Sequence, residues 1–302
     1  MVSLLQLLVD GVIFGSIILL ASVGLSLLYG IGNFANFAHG ELLTIGAYLT
    51  YAFHVTLGWP LVAAGAMAFL IGGLLGVLLD RTIFIHHRDS TPIVLLIVTI
   101  GLALVLRALL RVIWSDNLRS LERPLEEGIQ VLEGVVNLGA VELDYGLRLT
   151  ASDALIVALA LAFAVATHLF LTRSRMGIAM RATADNVSLA EATGIDTDLV
   201  LTITWGLSAA LAAVGGMLLA LQTSVLLPRM GFNVLLVIFA AVILGGIGSP
   251  YGAMIGAYII GIAQEFSVVV PGVNAEYRFA FAFLIMIGVL LYRPEGIAGG
   301  RW

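Results

Sequence analysis

Long uninterrupted apolar runs recur along this chain. Several approach the ~20 residues that a helix needs to cross ~30 Å of hydrocarbon. They fall at about 7–30, 41–57, 61–79, 93–114, 154–171, 199–221, 254–270 and 279–291, with one more from 233 to 244. A water-soluble core has no use for so many. Charge agrees: 61% of the 302 residues are hydrophobic and 11% are charged, against roughly 25% charged in soluble domains. The expected fold class is an all-α polytopic membrane protein with about eight or nine transmembrane helices, one or two of them broken or re-entrant. A single membrane domain over 1–302 is expected, with an external loop at 115–150 and a cytoplasmic loop at 173–199. No basic segment precedes the first run, so it is read as a retained span rather than a signal peptide.

What is missing narrows the chemistry. There is no cysteine, which excludes disulfides, thiolate catalysis and cysteine-ligated metals. All 14 basic residues are arginine, so a phosphate-binding loop ending in Gly-Lys is absent, and so is a Schiff-base lysine. Any ATP used with this chain is bound by another one. The five histidines are scattered, and no nucleophile–base pair or H-E-x-x-H motif accompanies them. His39 has only Glu41 nearby, and His86-His87 reads as a solvated loop pair. No catalytic residue, metal site, cofactor or nucleic-acid surface is expected.

Two places interrupt the hydrophobic pattern without ending it. The first is Asn33-Phe34-Ala35-Asn36-Phe37-Ala38-His39-Gly40-Glu41. Asn33 or Asn36 can cap the helix that follows, with Glu41 in its first turn, where the helix dipole favours an acid. The same residues also suit a broken helix lining a cavity, because irregular backbone at membrane depth survives only where protein or water satisfies it. Asn36, His39 and Glu41 are therefore pathway or broken-helix candidates. The second is Gly245-Gly246-Ile247-Gly248-Ser249-Pro250-Tyr251-Gly252, where Gly245, Gly246 and Gly248 preclude a regular helix. It is either a tight turn between two short spans or a re-entrant break. The string Ile-Gly-Ala-Tyr stands at 45–48 and again at 255–258, which hints at two related half-units.

Polar residues elsewhere read more simply. Arg107 and Arg111 lie one turn apart on a helix face, toward the far end of their span, and are expected to snorkel and anchor it. Asp80, Arg81, His86, His87, Arg88 and Asp89 form a short polar loop. The segment 115–150 carries Arg119, Arg123 and Arg148 against seven acids, with alternation near 128–132 and 141–143 that suits a short hairpin.

The densest basic cluster, Arg173, Arg175 and Arg181, opens a polar stretch between two apolar runs. It reads as a helix with Ala179, Ala182, Ala190 and Ala192 on its small side and Gly194 placed to end it. A short polar helix here is either a plain amphipathic connector or a coupling loop inserted into a partner that does work. Arginine asymmetry puts the loops at 81–88 and 173–181 and the tail with Arg293 and Arg301 in the cytoplasm. The 115–150 loop and those at Pro228 and Pro271 are then outside.

Ordered motifs along nearly the whole length resemble the permease subunits of branched-chain amino acid ABC transporters, a family that includes relatives for urea and short amides. Asn36-Phe37-Ala38-His39-Gly40-Glu41 is similar to the N-F-A-H-G-E signature. Gly177 with Met180-Arg181-Ala182, then Ala192-Thr193-Gly194-Ile195, resembles the coupling segment. Gly231-Phe232-Asn233, Gly245-Gly246-Ile247-Gly248 and Gly252-Ala253 resemble the glycine block, and Arg293-Pro294-Glu295-Gly296 the closing R-P-x-G. Asn33-Phe34-Ala35 departs from the glycine and isoleucine expected there.

The resemblance implies an ATP-driven importer in the cytoplasmic membrane of a prokaryote, carrying a small hydrophobic amino acid. It also implies two cytoplasmic ATPase subunits, a second homologous permease and an external substrate-binding protein. Gly177, Arg181, Ala182, Glu191 and Gly194 become the ATPase-coupling candidates, with Arg181 and Glu191 as contacts or end-pins. An ion-coupled secondary transporter and an intramembrane enzyme are the alternatives from other classes. The first would need acids deep in the spans, whereas Asp153 and Glu265 lie near the ends.

Overall fold

The structure is a computed structural model. It describes residues 3–88, 90–121, 129–132, 135–137, 142–144, 146–269 and 277–298. Asp89, Arg123, Pro271 and Arg301, all invoked above, lie outside these residues.

Each apolar run becomes a helix, and small polar residues start several of them. α1 (Leu4–Gly32) begins where the Ser3 hydroxyl accepts from the Gln6 amide. α2 (His39–Tyr51) runs on into a π-helical turn, Ala52–Thr56. α3 is Leu61–Thr82 and α4 is Pro92–Trp114. α5 (Ala151–Arg173) opens on a reciprocal cap in which Thr150 and Asp153 each accept the other's backbone N–H. α6 (Arg175–Asp185) and α7 (Val187–Ala192) are short. α8 (Thr197–Thr223) is capped by Asp196, α9 is Met230–Gly245, α10 (Pro250–Phe266) is capped by Ser249, and α11 is Arg278–Tyr292.

Among the described residues, six helical segments are long and apolar enough to cross a membrane: α1, α3, α4, α5, α8, and α10 with its extension to Val269. The shorter apolar α9 and α11 bring the count to eight, within the eight or nine that the sequence leads one to expect. Between α4 and α5, Ile129–Leu132 pairs with Leu147–Leu149, and Val135–Asn137 with Glu142–Asp144. Two antiparallel ladders thus replace the single expected hairpin, and 142–144 takes the nearer strand rather than 129–132.

α1 and α8 form the core. In each, 89% of the most apolar stretch is buried, against 28, 33 and 22% in α3, α4 and α5, whose outer faces suit lipid. Burial from water does not bring helices together inside a bilayer. Close van der Waals packing across small residues does. A Cβ on Gly46 would strike the backbone of Ala213, and one on Gly216 the backbone of Leu43 and Ala47, so α2 and α8 touch main chain to main chain. α1 packs most extensively on α10, as α8 does on α3. The two Ile-Gly-Ala-Tyr strings lie on α2, which packs most on α8, and on α10, which packs most on α1; both helices also pack on α9.

The two ends of the bundle are distinct. At one, a small antiparallel ladder joins Arg119–Ser120 after α4 to Val225–Leu226 after α8. At the other lie α6, α7 and a 3₁₀ turn, Phe84–His87.

Candidate functional site

At the second end, α6 and α7 form a two-part arm. The expected single helix divides at Asn186, whose backbone leaves helical space (φ −160°, ψ 106°) while its side chain accepts from the Leu189 amide at 3.0 Å. An asparagine that can start a new helix competes with continuing the old one. α6 turns Gly177, Met180 and Thr183 inward, and a Cβ on Gly177 would meet the backbone of Phe170 and Leu171. Ile178, Val187 and Leu189 point outward, Leu189 being 62% exposed. Arg181 and Ala182 are half-buried, and the Arg181 Nε has no partner among the described residues. Glu191 accepts from the Thr197 hydroxyl at 2.8 Å, which pins the arm to the first residue of α8. Gly194 (φ +87°) makes the turn between them, in a left-handed conformation that costs glycine least.

Beside the arm lies a charged joint, where the sequence predicts a short polar loop. Asp80 belongs to α3 and is fully buried. Arg88 donates to Asp80 at 2.9 Å and pairs with Asp198 of α8, while Thr202 donates to Asp80 at 2.6 Å. Phe34, Phe84 and Trp205 stack next to it, with ring centroids 4.3–6.1 Å apart. A cavity of about 360 Å³ opens here, lined in part by Asn33, Arg88, Glu191 and Asp198.

The interruption at 33–38 is a break inside the bundle. Phe37 N–H donates to Thr99 Oγ1 at 3.2 Å, and Thr99 is seven residues into α4, or ~10 Å of helix rise. Asn36 Oδ1 accepts from the Ala38 amide at 3.0 Å. Asn36 therefore shapes the break, and the N-cap position falls to Ala38, which makes no side-chain cap. His39 is fully buried and its Nε2 lies 2.8 Å from the carbonyl of Ala21.

Glu41, 1% exposed, is clasped by Arg107 through Nε (3.1 Å) and Nη2. Arg107 thus does not snorkel as expected. It turns inward because an unpaired carboxylate at this depth would cost more than bending an arginine toward it. Arg111, one turn further out, pairs with Asp116 at 3.0 Å near the end of the span. The guanidinium carbon of Arg107 sits 4.5 Å from the ring centroid of Phe232, on α9. Thr44 Oγ1 accepts from the Gly231 amide at 3.0 Å, so the starts of α2 and α9 meet at one depth.

The glycine block resolves as a turn between α9 and α10. Gly246 (φ 111°) and Gly248 (φ 82°) turn the chain, and Gly245 lies against the backbone of Gly252. The closing motif finishes it: the amides of Ile297 and Ala298 donate to the carbonyls of Leu244 and Gly245, both at 2.9 Å.

Sequence reasoning missed Arg107, Phe232, Asp80 and Arg88 as members of these sites. The available signal was a rule of charge: an acid and an arginine both inside apolar runs must find each other. Among the described residues, no three His, Cys, Asp or Glu side chains gather as a metal site.

A core of two buried helices, surrounded by further long apolar helices with exposed faces, defines a multi-pass α-helical membrane protein. Comparison gives its kind: residues 7–290 match the family described as branched-chain amino acid transport system, permease component, and the chain belongs to that family. It is 35% identical to the high-affinity branched-chain amino acid transport system permease protein LivH of Escherichia coli K12, over 98% of this chain and 95% of that one. It is 32% identical to BraD of Pseudomonas aeruginosa, again over 98% and 95%. A probable branched-chain amino acid transport permease of Methanocaldococcus jannaschii is 27% identical over 98% of this chain and 93% of its own length. No solved structure matches significantly.

Proposed function

We propose that this chain is the permease subunit of an ATP-driven importer for branched-chain or similar small hydrophobic amino acids in a prokaryotic cytoplasmic membrane. It forms the translocation pathway with a second permease. An external binding protein delivers the substrate at the end carrying the 115–150 loop. Two ATPase subunits bind at the end carrying α6 and α7. The chain makes and breaks no substrate bond, so it needs positioned helices and no catalytic group.

The observation that carries this reading is the arm. Ile178, Val187 and Leu189 present apolar surface at an end of the bundle where none of the described residues covers them, as a docking partner would require. Met180 and Thr183 are sunk into the bundle, and Glu191 holds α8. A push on the arm is therefore delivered to α8, a helix as deeply buried as α1. Gly177 supports close packing of the arm on α5, and Gly194 lets it turn without strain.

Reconstitution with the neighbouring ATPases and binding protein tests the reading. Arg181→Glu and Gly194→Trp are expected to abolish ATP-driven leucine uptake and stimulation of the ATPase while the protein still inserts. Uptake that follows a proton gradient rather than ATP would overturn it, as would normal stimulation in both variants.

A further inference from the structure

The Glu41–Arg107 pair lies inward of a cavity at the α4 and α9 ends. A cavity of about 260 Å³ opens between the ends of α4 and α9, lined by Arg111, Asp116, Leu227, Pro228 and Arg229. One turn deeper on α4 is Arg107, and one turn deeper on α9 is Phe232. These two touch, guanidinium over ring, one helical turn below residues that line the cavity. Phe232 is 45% exposed and Arg107 17%, while Glu41 behind them is out of solvent.

The bonding of the pair is uneven. Nε and Nη2 of Arg107 both go to Oε1 of Glu41. Oε2 is buried and has no partner among the described residues. A buried carboxylate oxygen without a partner is costly and therefore uncommon. An ammonium group that reached Glu41 would find that oxygen free without first breaking the ion pair. A carboxylate on the same molecule would then face Arg107.

We propose that Glu41 and Arg107 form a self-neutralising gate that recognises the zwitterionic backbone of an α-amino acid, with Phe232 as the platform for its aliphatic side chain. The proposal rests on the permease reading above and adds to it the residues that contact substrate. Empty, the pair cancels its own charge and gives a lone cation or anion no net attraction. A zwitterion presents opposite charges in the reverse order, so it replaces each partner with its like and leaves no charge uncompensated. A molecule with only one of the two groups leaves a buried charge unpaired and is rejected.

The test uses the permease–ATPase complex in lipid nanodiscs without the binding protein. Radiolabelled leucine is the probe, and isoamylamine (no carboxylate) and 4-methylpentanoate (no ammonium) are the competitors. In the unaltered complex both are expected to compete at least about tenfold more weakly than leucine. Arg107→Gln is expected to bring isoamylamine level with leucine, and Glu41→Gln to do the same for 4-methylpentanoate. The double variant, neutral at both positions, is expected to fold and lose the selectivity. Phe232→Ala, at a partly exposed position, is expected to weaken leucine about tenfold relative to glycine.

A purely structural pair would leave the competitor order unchanged in every variant that folds, and that result overturns the proposal. Leucine uptake with ATP and binding protein is scored separately. A complex that takes up leucine but keeps its competitor order refutes the gate alone. One that neither binds nor imports leucine refutes the gate and the permease reading together.

Discussion

Removing Arg88 should strand a charge in the joint between α3 and α8. Asp80 is fully buried and its Oδ2 receives two donors, Arg88 at 2.9 Å and Thr202 at 2.6 Å. Breaking a buried ion pair from one side costs ~3–5 kcal/mol, chiefly because the remaining charge is uncompensated. Thr202 still donates in Arg88→Ala, and a retained hydrogen bond offsets ~1 kcal/mol. The expected net loss is about 2–4 kcal/mol, and for a chain of this size that lowers the melting temperature by roughly 5–10 °C. The pair with Asp198 adds little to this sum, because Asp198 is largely exposed.

The assay is thermal unfolding of the detergent-solubilised protein, followed by the fraction that stays monodisperse. Asp80→Asn removes the acid's charge and should cost less. Arg88→Ala combined with Asp80→Asn should be more stable than Arg88→Ala alone, since no charge is then left behind. A double variant whose loss equals the sum of the single losses would refute the reasoning, as would Arg88→Ala melting with the parent.

Two further outcomes follow from packing. Gly46→Val, whose side chain would collide with the backbone of Ala213, should yield no folded protein in the membrane, whereas Gly101→Ala, with open space around it, should express like the parent; equal surface yields would refute the close α2–α8 contact. Thr99→Val keeps shape but takes away the acceptor of the Phe37 amide, which should cost ~1–3 kcal/mol and show as a lower melting temperature than that of Thr172→Val, whose hydroxyl donates to the carbonyl of His168 in its own helix.

The sequence makes the bundle legible because hydropathy acts locally: each apolar run declares a helix from its own residues. It makes the breaks legible for the same reason, since Gly246 and Gly248 cannot continue a helix wherever they are placed. Partnership is another matter. Glu41 and Arg107 are 66 positions apart, and only the packing of α2 against α4 brings them together, so anchoring was the simpler reading for Arg107. Asp80 sits at the end of an apolar run, where acids are ordinarily wet, and its burial depends on Arg88 and Thr202 arriving from two other segments. The arm shows the reverse error. Its alanines suggested one helix, while the local preference of Asn186 for a new cap divided it in two.

The break at 33–38 bears on how this protein is made. The amide of Phe37 finds its acceptor on Thr99, a residue synthesised well after α2 has left the ribosome. Until α4 arrives, that amide lacks this partner, and bare peptide groups are costly against acyl chains. The first two helices are thus poor candidates for early release into the bilayer. They gain by waiting at the insertion machinery until a third and fourth segment are ready to leave with them.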